Sequence, residues 1–197
     1  MAYFSEGRRG FEPQRPEDMI TFAAMDIKDK VAQLSGDLPE DAYVISDDLA
    51  RLGGAEVLEA MKELLQHPDM ESRYMAARTL SLMPEQEGVL EVLMTAINDP
   101  INKEQQGDFL SFLESLDISD QFVGVFKLYL NGSYKVSMIA KDLLDHQDFD
   151  ITLRVLKKAT KQWNHYSHNV KQDDVFELKK IEVEEMLEDL REFLEEA

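Results

Sequence analysis

Cysteine is absent from this chain of 197 residues, tryptophan occurs once, and 21 Lys and Arg face 40 Asp and Glu. Each shortage excludes something. Without cysteine there are no disulfides, no thiolate zinc ligands and no cysteine nucleophile, a pattern that suits a reducing compartment. A formal charge of −19 sets aside general DNA or RNA binding, which draws its affinity from neutralised phosphates. No stretch approaches the roughly 20 apolar residues of a membrane span. The opening residues 1–16 carry charges and two prolines where a signal peptide needs an apolar core. A cytoplasmic protein without membrane contact is the expectation.

Catalytic signatures are missing as well. There is no Gly-rich phosphate loop, no Gly-x-Ser-x-Gly and no HExxH. His165 and His168 form a His-x-x-His pair without an evident third ligand. Among 40 carboxylates no pair stands out for acid–base work. The sequence therefore predicts no enzyme, no cofactor and no metal.

What remains is helical periodicity. Residues 1–16, with Gly7, Arg8, Arg9, Gly10, Pro13 and Pro16, read as a flexible arm, and 17–197 as one helical-repeat domain. Pro16-Glu17-Asp18 opens a helix that runs to Ser35-Gly36, and Pro39-Glu40-Asp41 opens a second, closed by Gly53-Gly54. Shorter helices follow at Val57–Leu65, Glu71–Met83 and Val89–Ile97, then near 105–116, 120–130, 134–145 and 149–163. Asn131-Gly132 sits between helical patterns and reads as a helix–helix turn. The tail from Asp173 to Glu196 predicts one long helix, its apolar stripe formed by Val175, Leu178, Ile181, Met186, Leu187, Leu190 and Leu194. Strand signals are nearly absent.

An internal repeat organises these helices. Residues 57–68 (VLEAMKELLQHP) align with 89–100 (VLEVLMTAINDP), 32 positions later, and both end on proline. One helix pair per repeat leaves an apolar face that only a stacked neighbour buries. The residues then reach a family. His67-Pro68-Asp69-Met-Glu-Ser-Arg73-Tyr-Met-Ala76-Ala77-Arg-Thr-Leu80 resembles the turn and second helix of a bacterial HEAT repeat. In that pattern an Asp-Pro-Asp turn precedes an Arg, an Ala-Ala pair and a Leu. Asp69 would accept from amides at the helix start, Arg73 would brace the turn or the next repeat, and the alanines would let helices approach closely. His67 replaces the first Asp, Ser72 replaces Val, and the second copy keeps only Asp99-Pro100. The resemblance spans about residues 55–160. It implies an all-α fold: a short right-handed α-solenoid of antiparallel helix pairs, with a long C-terminal capping helix. The repeats would cover approximately 55–83, 87–117, 118–146 and 148–170, with the terminal helix at 173–196.

Charge is patterned rather than uniform. Residues 17–120 carry a net −16, residues 121–170 a net +3, and residues 171–197 a net −7. Arg154, Lys157, Lys158 and Lys161 share one face of a helix, followed at once by Trp163 and Tyr166. This face, with an aromatic anchor, is a candidate partner-binding patch; a solvated face balancing the acidic tail is the plainer alternative. The function expected is a protein-interaction scaffold or adaptor, binding a partner with a basic surface. Self-association of one acidic tail on another molecule's basic helix is a further option. Two alternatives remain: an acidic mimic that occupies a DNA-binding protein, and an accessory protein with a lyase-like role toward a small ligand.

Overall fold

The computed structural model describes residues 27–84 and 87–196. The expected N-terminal arm, and the helix start at Pro16–Asp18, lie outside the described residues. The described chain is all-helical, with no strand. Helical residues 27–33 (α1) lead into α2 (Ala42–Leu52), α3 (Gly54–Leu64), α4 (Met70–Leu82) and α5 (Val89–Asn98). A 3-10 turn at Pro100–Asn102 precedes α6 (Gln106–Ser111), which tightens into 3-10 geometry over Phe112–Ser115. Then come α7 (Phe122–Asn131), α8 (Tyr134–His146), α9 (Leu153–Asn169) and α10 (Asp174–Glu196).

Local chemistry sets the boundaries. Asp69, Ser133 and Thr152 each accept from the amide three residues on, starting α4, α8 and α9. Gly53 closes α2 at φ +58°, a conformation that costs a residue with a Cβ. The helix expected over 149–163 begins only at Leu153. Before it the Asp150 amide donates to the Ser119 carbonyl at 2.9 Å, which ties this non-helical segment to the loop before α7.

Packing follows the chain. Along it, α3 packs on α4, α5 on α6, α7 on α8, and α9 on α10. Across it, α2 touches α4, α4 touches α6, and α6 touches α8. The Ala76-Ala77 pair and Leu80 are completely buried in α4. Ser46 and Thr79 share a hydrogen bond of 2.9 Å between α2 and α4, so small residues let these helices meet closely. The stretch 148–170 holds the single helix α9, which packs on both α7 and α10.

The tail helix buries the second half of the expected stripe but not the first. Phe176, Val183 and Leu187 are buried, with Met186, Leu190 and Leu194 half-buried beside them. Val175, Leu178 and Ile181 are more than 60% exposed. Steps of three, repeated, walk around a helix of 3.6 residues per turn, whereas 176, 183, 187, 190 and 194 stay on one face.

Candidate protein-binding surface

The turn at His67–Asp69 is a hydrogen-bonded clamp. Arg73 is 4% exposed and has no carboxylate partner among the described residues. Its Nη1 donates to the carbonyls of His67 and Pro68 at 2.8 Å each, its Nη2 to Ile101 at 3.2 Å, and its Nε to Asn102 Oδ1 at 2.7 Å. Asn102 in turn donates to the Ala96 carbonyl at 3.0 Å. The turn before α4 and the turn after α5 are thus tied by one guanidinium, whose planar fork suits several carbonyls at once. Asp69 caps α4 through the Ser72 amide at 2.8 Å, a bond that holds its carboxyl below the ordinary 3.8. Asp99 accepts from the Ile101 amide at 3.0 Å, and Pro100 opens the 3-10 turn.

The predicted basic patch divides. Arg154, Lys157, Lys158 and Lys161 are all exposed on α9, and none enters an ion pair among the described residues. Trp163 is not with them. It is 7% exposed and stacks on Phe176 of α10, with centroids 5.9 Å apart and planes 9° from parallel. Tyr166, half-buried, also stacks on it, with centroids 5.9 Å apart. The lone tryptophan is therefore an interior contact joining α9 to α10, because its helix turns that side to the core. His165 and His168 lie exposed at the end of α9, and among the described residues no three ligating side chains converge.

A second surface escaped the sequence. Between α8 and α10 runs a groove of about 460 Å³. Lys141, Leu144 and Asp145 of α8, with Gln147, Asp148, Phe149 and Ile151, form one wall. Glu182, Glu185, Met186, Asp189 and Leu190 of α10 form the other, and buried Phe122 lies at the base. The lining is six apolar side chains with five carboxylates, one lysine and one glutamine. That lysine is already spent, since Lys141 pairs with Asp145 at 2.6 Å. Glu182 accepts from the Tyr129 hydroxyl, while Asp148, Glu185 and Asp189 have no side-chain partner among the described residues. A larger, shallower depression of about 940 Å³ between α5 and the start of α7 has only Leu90 and Met94 as large apolar lining.

The α10 wall is pinned beneath the groove. Lys179 Nζ donates to the Tyr129 carbonyl at 2.8 Å, at the end of α7, where a cation meets the helix dipole favourably. It also sits over the rings of Tyr129 and Tyr166, 4.7 and 5.6 Å from their centroids. Burial holds the Lys179 ammonium below its ordinary 10.5, partly opposed by Glu182. Burial, then the hydrogen bond to Glu182, pushes the Tyr129 phenol far above its usual range. The acids gave their number in the sequence. Their grouping was not visible there, because it needs α8 and α10 to be neighbours, 40 residues apart along the chain.

No family model, no curated protein and no solved structure matches this chain. No described helix is long and apolar enough to cross a membrane.

Proposed function

We propose that this chain is a non-enzymatic protein-interaction scaffold, a short HEAT-like α-solenoid that holds a partner with a basic surface against its acidic helical face. The observation that carries this is the order of packing: α2 on α4, α4 on α6 and α6 on α8, with each preceding helix at its partner's back. Stacked helix pairs of this kind make extended binding surfaces. The Arg73 clamp between successive turns supports the same architecture. The charge of −19 favours encounter with cationic partners and makes that encounter sensitive to salt. A cysteine-free composition suits a reducing, cytoplasmic setting.

The phosphate-mimic alternative is weaker. Asp47 and Asp48 already pair with Arg78, Lys30 and Arg51 of the same chain, so they do not present free charge as a row of phosphates would.

Affinity capture with the full chain at low ionic strength tests the scaffold. A stoichiometric protein partner, cross-linked to the helical face and released by salt, is the expected result. No partner under gentle conditions, or one that salt fails to release, overturns it.

A further inference from the structure

We propose that the groove between α8 and α10 binds one basic amphipathic α-helix from a partner protein. This rests on the scaffold reading and adds the class of ligand and its seat.

Three features lead to a helix of that kind. The first is a gap in the helix layer. Successive members α2, α4, α6 and α8 touch, whereas α8 and α10 have no such approach. Near the start of α8, Lys179 reaches Ser137 Oγ at 3.4 Å. Farther along α8 the groove lies between the two helices, and the apolar sides of Leu144, Phe149, Ile151, Met186 and Leu190 are left half-buried. A helix laid there would stand where the layer lacks a neighbour.

The second is periodicity. Glu182, Glu185, Met186, Asp189 and Leu190 follow helical spacing along one flank of α10, and Lys141, Leu144 and Asp145 do the same on α8. The α10 stripe from 182 to 190 runs about 12 Å, a little over two turns. A docked helix would match it with apolar side chains at i, i+3 or i+4, and i+7.

The third is charge. The groove's apolar floor is rimmed by Asp145, Asp148, Glu182, Glu185 and Asp189, and its one lysine is paired. The occupant must carry Lys or Arg on both flanks of its apolar stripe, for an acidic helix would meet like charge on two sides. Among the described residues, a second copy of this chain does not offer such a helix. The most basic described helix, α9, turns Leu156, Ala159 and Trp163 into its own core and has only the charged face free.

The experiment uses the full chain and a labelled synthetic peptide of about 18 residues, five helical turns. Leucines follow i, i+3, i+4, i+7 spacing and lysines flank them. Anisotropy titrations at low salt compare it with a peptide of the same composition, shuffled to scatter the leucines around the helix. The patterned peptide should bind at least about tenfold tighter than the shuffled one, and Glu185→Lys with Asp189→Lys should weaken it by about tenfold or more. Glu56→Lys with Glu63→Lys, the same charge change on exposed positions of α3, should weaken it far less.

Equal binding of the two peptides, no binding of either, or indifference to the α10 changes overturns the proposal. So does a dimer in sedimentation that Glu185→Lys with Asp189→Lys dissolves, since the occupant is then a second copy. Failure of the scaffold reading looks different. If the captured partner still binds the α10 variant, the groove assignment falls and the scaffold stands. If wild-type protein captures nothing, the scaffold falls whatever the peptide does.

Discussion

At the scale of single residues, the most consequential side chain is a buried cation with no anion beside it among the described residues. Arg73 is held by carbonyl and amide oxygens alone, and each becomes an unsatisfied acceptor if the guanidinium is removed. Arg73→Met should cost upwards of about 2 kcal/mol in denaturant unfolding, and Arg73→Lys should recover little, since an ammonium does not span the fork. Asp69→Ala removes a helix cap worth about 1 kcal/mol. Its folded-state carboxyl is held below 3.8 by the Ser72 amide, so the stabilisation is whole above that pH and fades as pH falls through the folded value. Unfolding of Asp69→Ala and wild type, compared across acid pH, should therefore converge at the acid end. Gly132 is constrained by space rather than by φ. A Cβ there would lie 2.6 Å from the Leu128 carbonyl oxygen and 2.4 Å from Val136 Cγ1. Gly132→Ala should destabilise by about 1–3 kcal/mol, read as a lower melting temperature.

At the scale of elements, α9 has two faces with opposite duties. Trp163→Ala removes a side chain stacked on Tyr166 and Phe176 and should cost about 3–5 kcal/mol. Lys157→Glu with Lys158→Glu lies on the solvent side and should leave stability within about 0.5 kcal/mol. If the basic face serves a partner, capture weakens in that variant; unchanged capture makes the face charge balance for the acidic tail. Helix existence was legible in the sequence wherever apolar spacing was regular and a breaker followed, as at Pro68, Gly53-Gly54 and Asn131-Gly132. The cap at Asp69 and the brace at Arg73 were expected from the resemblance of their turn; Asp69 acts on its own helix start, whereas Arg73 also reaches Ile101 and Asn102 on the turn after α5. Burial within a helix was harder to read. Trp163 looked like an exposed anchor because it follows four basic residues, and Val175, Leu178 and Ile181 looked like core because they are apolar. Which side of a helix faces inward is set by its neighbours. The α8–α10 groove was illegible for the same reason, since its walls are not adjacent in the chain.

At the scale of the whole molecule, opposite charges are laid out in separate regions. Basic α9 stands beside an acidic α10 and an acidic α8–α10 groove, so association should weaken as salt shortens the range of each field. In the proposed solenoid the helices need not unfold in one step, because stability in such an array is a sum of local terms. The position of Trp163 makes this measurable without a label. Its indole sits at one end of the stack, between the last two helices, while every helix contributes to the circular dichroism signal. Superimposed fluorescence and dichroism melts would show a single cooperative body. A fluorescence transition that comes first would show the end bearing the groove loosening on its own, and a bound helix would then be expected to draw the two curves together.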